Sequence, residues 1–213
     1  MIVVVGSPSA EVVEDASVAA GGVGARIAIA AVRAGAPVQV VGRVGEDPDG
    51  DGVLLDLARH GVGHVAVLRD AGRPTRRVVV PPLADILDDA AGGSGDTAAH
   101  DEPTLDAADL ELALSYLTEY AVIVVAESLG QAAMRVVADA AAWGSAALVV
   151  VGVPDELSSV PESATVFEPP ADGDPDGAFA TMVGAYAAAL DRGEDPRTAF
   201  DAATAAVGST AAD

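Results

Sequence analysis

Three stretches of this sequence combine residue types that handle polar ligands: Glu11 ahead of Gly21, Gly22 and Arg26, the string Asp47-Asp49-Asp51-Gly52, and the string Asp172-Asp174-Asp176-Gly177. A glycine pair just before a helix lets backbone amides approach a polar ligand closely, because no Cβ intervenes and a helix N-terminus favours negative charge. Arg26 donates hydrogen bonds and accepts none, so it suits an anionic ligand or an ion pair with Glu11; the ion pair is the ordinary expectation. The two DxDxDG strings have the alternating carboxylates that ring a hard cation in calcium loops. Both lack the closing Glu at the twelfth position, where Ala58 and Val183 stand, so no metal is assigned to either. In the second string Asp174 as cap, Pro175 in the first helical position and Asp176 in the first turn make a sound helix start.

The rest of the sequence narrows the chemistry. There is no cysteine, which excludes disulfides and thiol catalysis. His60, His64 and His100 have no metal-ligand spacing, and no Ser, His and Asp form a hydrolase signature. Arg73, Arg76 and Arg77 are the basic cluster, and balancing nearby acids is its ordinary role. The net charge is −22, from 33 acidic and 11 basic residues, and every basic residue is Arg. Such a surface repels nucleic acid and anionic membranes. It also repels itself unless counterions screen it, so the composition fits high cytoplasmic salt. The opening MIVVVG has no basic leader and no apolar run reaches membrane-spanning length, which predicts a cytoplasmic protein.

The elements that must position these residues read as an α/β fold. Strands are predicted at Ile2–Val5, Val38–Val41, Val65–Leu68, Arg76–Val80, Ala121–Ala126, Ala147–Val151 and Ala164–Phe167. Helices are predicted at 25–34, 53–60, 106–120, 131–143, 176–192 and 196–207, with turns from Gly42 and from Gly45 to Gly52. Alternating strands and helices argue for βαβ units and a mostly parallel sheet with helices on both faces, in one domain spanning 1–213. Residues 83–104, acidic and glycine-rich, read as a flexible surface connection.

The first third of the chain resembles the PfkB/ribokinase family of carbohydrate kinases. The resemblance is carried by GSPSAEVV, then GGVGARIAIAAVRAGAPVQVVGRVGEDPDGDGVLLDLARHGV, then PTRRVVV. Gly21, Gly22, Gly35, Gly42, Gly45, Asp47, Gly50, Leu57, Gly61 and Val62 stand in matching positions. The resemblance implies a three-layer ribokinase-like fold, here reduced in size, with a small or abridged β flap. It places Glu11 where the family has a sugar-binding Asp, and Arg26 where it has an Asn. It implies that Glu11, Gly21, Gly22 and Arg26 bind substrate.

ADGDPDGAFATMVGAYAAALDRGEDPRTAFDAATAAVGST is similar to the family's DTxGAGDxF signature, with departures. Gly177 aligns with the catalytic Asp, and Asp174-Pro175-Asp176 replaces the Gly-Ala-Gly of the anion hole. Asp172, Asp174 and Gly177 would face the phosphates, and a one-residue slip leaves Asp176 as the remaining base. Pro175 removes an amide and the two Asp bring negative charge toward an anion. The segment that carries the family's magnesium and nucleotide motifs is also abridged. The expectation is a carbohydrate-kinase-like protein with impaired or absent phosphotransfer, using ATP and Mg2+ if active. The alternative is a non-catalytic protein that binds a small sugar or nucleoside or serves a partner. By resemblance it forms a homodimer through the flap strand Arg76–Val80 or pairs with a complete kinase.

Overall fold

The computed structural model describes residues 1–13, 17–79, 103–153, 159–171 and 173–210. Among the described residues the strands are β1 (Ile2–Val5), β2 (Ser9–Val13), β3 (Ser17–Gly21), β4 (Val38–Gly45), β5 (Gly63–Asp70), β6 (Arg77–Val79), β7 (Val122–Val125), β8 (Ala147–Val151) and β9 (Thr165–Phe167). The helices described are α1 (Val23–Arg33), α2 (Pro48–Arg59), α3 (Ala107–Tyr116), α4 (Gln131–Gly144), α5 (Ala178–Asp191) and α6 (Pro196–Thr210).

The central sheet has six parallel strands in the order β5-β4-β1-β7-β8-β9. Its strands are β-branched because both faces are covered, and alternate side chains feed two cores. Ile2 and Val4 of β1 join one core with α1, α2, α5 and α6, while Val3 and Val5 join the other with α3 and α4. This is the reduced three-layer ribokinase-like architecture that the sequence implied.

The first core is filled largely by alanine and valine, so its helices must lie close together to make dispersion contacts. Gly184 of α5 shows how close. A Cβ there would lie 2.7 Å from Ala30 Cβ and 2.8 Å from the Ala31 nitrogen on α1.

A second sheet, β3-β2-β6, forms the flap, with β2 and β3 antiparallel and β2 and β6 parallel. Neither β2 nor β3 is read in the sequence, where SAEVV and SVAAG carry too little apolar alternation to announce strands. β4 corrects a second reading: it continues through Gly42 to Gly45 instead of turning at Gly42. Gly42 is glycine because a Cβ would stand 2.7 Å from the Gly6 carbonyl oxygen. At Gly45 a Cβ would stand 2.5 Å from the Thr75 nitrogen. The glycines of this motif thus serve close backbone approach between β4, the turn after β1 and the turn before β6.

α3 is shorter than the 106–120 read in the sequence. Asp106 and Asp109 form a reciprocal capping box at its start, and Leu117 leaves helical geometry. Most of the acidic segment at 83–104 lies outside the described residues; at its end Pro103 is buried, as is Leu105 just beyond it. No helix among the described residues is long and apolar enough to cross a membrane.

Candidate functional site

At the C-terminal ends of β1 and β7 the chain opens a cleft of about 700 Å³. Its walls include Ser7 and Ser9 after β1, Glu11 of the flap, Gly22 and Arg26 of α1, Arg43 of β4, Glu127 after β7, and Gly173 and Asp174 before α5. Parallel sheets place ligand sites at this end, where strand ends and helix N-termini converge.

Arg26 is the centre of one side. Its guanidinium donates to Glu11 Oε1 at 2.6 Å and to the Asp174 carbonyl oxygen at 2.8 Å. The ion pair expected from sequence is therefore formed, and it ties the flap, α1 and the loop before α5 together. Gly22, with φ +84, caps α1 without any side-chain hydrogen bond, leaving the first amides of that helix at the cleft wall. Gly21 lies beneath Glu11: a Cβ at Gly21 would fall on the Glu11 side chain. Its lack of a side chain sets the position of the Glu11 carboxylate.

The loop before α5 departs from the sequence reading in one respect. The helix begins at Ala178, and Gly177, with φ +68, is its N-cap. Pro175 and Asp176 therefore lie in the preceding turn, outside the helix. Asp174 still caps it, from further away: its two carboxylate oxygens accept from the amides of Phe179 and Ala180, each at 2.9 Å. Three residues of left-handed or turn geometry bring the chain back so that a carboxylate sits directly on the helix N-terminus. Asp176 is exposed and does not line the cleft. Asp172 lies outside the described residues.

The first DxDxDG string is likewise engaged within the chain. Asp47 accepts from Gly50 N at 2.7 Å, Thr75 N at 2.7 Å and Thr75 Oγ at 2.8 Å. Asp51 pairs with Arg69 at 2.7 Å and Asp49 with Arg77 at 3.6 Å. This explains the string as a helix start and its neighbours' counter-charges.

Two cleft residues escaped sequence reading. Arg43 pairs with Asp70 at 3.2 Å and Asp109 at 2.6 Å, and its Nε is buried with no hydrogen-bond partner among the described residues. Those hydrogen bonds, with Asp109 first, hold its pKa above the ordinary arginine value. Glu127 follows the apolar run VIVV of β7, and its carboxylate accepts from the Ser7 amide at 2.7 Å. Burial raises its pKa above the ordinary glutamate value, and the Ser7 hydrogen bonds only partly offset that. An acidic group at the end of a wholly apolar strand was the available signal.

Because the folded pKa of Glu127 is raised, the charged form opposes folding. The cost is fully present above the folded pKa and is relieved as pH falls through it. Glu127→Gln keeps an oxygen for the Ser7 amide and removes the charge. Its thermal midpoint should exceed that of the parent by a few degrees at pH 8, and the gap should close near pH 4. Melting curves at both pH values check this.

The described residues place Glu11, Gly22, Arg26 and Asp174 along one cleft, while Gly21, Gly177 and Asp176 are not on its walls. The pfkB family carbohydrate kinase model matches residues 3–172, ending just before the loop that Asp174 reshapes. Among solved structures the chain is similar to Arabidopsis thaliana ribokinase complexed with ribose and ATP, at 18% identity and a TM-score of 0.64, covering 97% of this chain and 90% of that one. It is also similar to a PfkB protein from Polaromonas sp. JS666, at 15% identity and a TM-score of 0.65, covering 95% and 92%. A carbohydrate kinase from Agrobacterium tumefaciens matches at 14% identity and a TM-score of 0.63, covering 97% and 89%. No curated protein matches the chain. With most of its length matched by the family model and its sheet order and cleft in place, the chain belongs to the pfkB family of carbohydrate kinases.

Proposed function

We propose that this protein binds a small sugar or nucleoside in the cleft and transfers phosphate poorly or not at all. The observation that carries the second half is the Asp174 carboxylate on the Phe179 and Ala180 amides. Phosphoryl transfer needs such amides, at a helix N-terminus, for the developing negative charge. Here a fixed carboxylate uses them and adds repulsion of its own. The residues present therefore do not fit a nucleotide triphosphate at this loop. For magnesium, no cluster of three acidic or histidine side chains suited to a metal exists among the described residues.

The first half rests on what remains on the cleft wall. Glu11 and Glu127 accept hydrogen bonds, while Arg26, Arg43 and the start of α1 donate. A neutral polyhydroxylated molecule uses both kinds of group without adding charge. The acidic composition supports action in a cytoplasm of high salt.

The test is thermal shift in molar KCl against a panel of sugars and nucleosides, with and without ATP and magnesium. A ligand at a hundred times its dissociation constant stabilises the fold by about 2.7 kcal/mol, readily seen as a rise in midpoint. A sugar or nucleoside should raise it, and ATP with magnesium should not. A shift with ATP together with a phosphorylated product would overturn the impaired-transfer reading, and no shift with any sugar or nucleoside would overturn the binding reading.

A further inference from the structure

A second cavity, of about 720 Å³, lies away from the cleft between the C-terminal halves of α3 and α4. Its walls include Glu111, Glu119, Tyr120, Asp139 and Trp143, and no Arg or His is among them. Trp143, on its wall, is 93% exposed. Trp143 is the single tryptophan of a chain with 3% aromatic residues. Leaving it in solvent on the wall of a concavity is the pattern of a surface that a partner covers.

The charge of the surface selects the partner. Both helices deliver their C-terminal, partially negative ends here, and neither has a basic residue in its last turn. α1 and α2, by contrast, end with Arg33 and Arg59. Three carboxylates add to the two uncompensated helix ends, and the faces of Trp143 and Tyr120 attract cations. A second copy of this chain, at −22, is disfavoured by like charge, as is an anionic membrane. The acidic residues 83–102, which contain no Arg, are disfavoured on the same ground.

We infer that the α3–α4 cavity is a docking site for a basic amphipathic segment of a protein partner. An arginine or lysine enters among Glu111, Glu119 and Asp139, and the segment's apolar side covers Trp143 and the wall at Leu114, Leu117 and Val136. This inference is independent of what the cleft binds.

Trp143 makes the test direct, since its emission moves to shorter wavelength when it leaves water. The full chain is titrated with a designed helical peptide of leucine and arginine, with the leucine and glutamate counterpart, and with tetramethylammonium. The basic peptide should give a saturable blue shift, and the other two should give none. The double variant Glu119→Gln/Asp139→Asn should bind the basic peptide about tenfold more weakly, with an unchanged circular dichroism spectrum. That variant separates the site from general attraction to an acidic protein, because it removes two charges from a large excess. An equal affinity in the variant, an equal shift with the acidic peptide, or no shift at all would overturn the inference. A saturable shift with tetramethylammonium would overturn it in favour of a small-cation site.

Discussion

Asp174→Ala should weaken the fold and strengthen nucleotide binding at the same time. The carboxylate holds two amides of the first turn of α5, and removing such a cap costs about 1–2 kcal/mol. For a chain of this size that is a fall in midpoint of roughly 2–8 °C. The same change frees the Phe179 and Ala180 amides and withdraws a negative charge from the place where a phosphate would approach. Affinity for ATP should therefore rise about tenfold or more, read by calorimetry or by thermal shift at graded ATP. Asp174→Asn is the control. It retains much of the capping and should gain less affinity, since its side chain still covers the amides. A stability loss with no change in ATP affinity would mean that the carboxylate does not obstruct the nucleotide. Phosphotransfer itself should not appear, because Asp176 points to solvent outside the cleft.

The largest loss of stability is expected from Asp47→Ala. Three donors converge on this carboxylate: the Gly50 amide, the Thr75 amide and the Thr75 hydroxyl. Thr75 is only 5% exposed, and its Oγ in turn accepts from Gly45 N at 2.9 Å. Truncation removes the cap of α2 and leaves buried donors of Thr75 without partners. The sum is about 3–4 kcal/mol, or roughly 10 °C in midpoint. The loss should depend on pH. Burial pushes the Asp47 carboxyl up, but the Thr75 and Gly50 hydrogen bonds outweigh it and leave the pKa below the ordinary aspartate value. A depressed pKa means stability that is complete above about pH 4, the unfolded value, and lost as pH falls through the folded value. Parent and variant should therefore differ most at neutral pH and converge in acid. Equal gaps at pH 7 and pH 2.5 would contradict the assignment.

The sequence was informative where a single local rule decides the outcome. β1, β7 and β8 are short apolar runs, and each proved to be an interior strand of the parallel sheet. The Glu11–Arg26 pair was legible because two opposite charges stand on either side of the Gly21-Gly22 helix start, and the structure brings them within 2.6 Å. Reading failed where a residue's identity answers to a distant neighbour. Gly42 looks like a turn, yet it is glycine because the Gly6 carbonyl lies against it within a continuous strand. β2 and β3 are strands through pairing with each other and with β6, not through their own composition. Asp174 was read correctly as a cap, but the helix starts later because Gly177 adopts a left-handed conformation and lets the chain fold back. Glu127 was missed because its partner, Ser7, follows the parallel strand β1 and is 120 residues away in sequence.

The position of β1 has a consequence for how the chain is made. Ile2 pairs with Val38 on one side and with Val122 on the other. As the chain leaves the ribosome, β5-β4-β1 has all its residues once Asp70 has emerged. β7, which covers the other edge of β1, does not exist until Val125 is translated. For that interval the nascent half-sheet presents Ile2–Val5, a wholly apolar strand, as an open edge ready to pair with any extended segment. Closing that gap is a long-range step that carries a loop-closure cost. Expression at a slowed translation rate should therefore favour aggregation of amino-terminal fragments, and a holdase that binds apolar strands should relieve it.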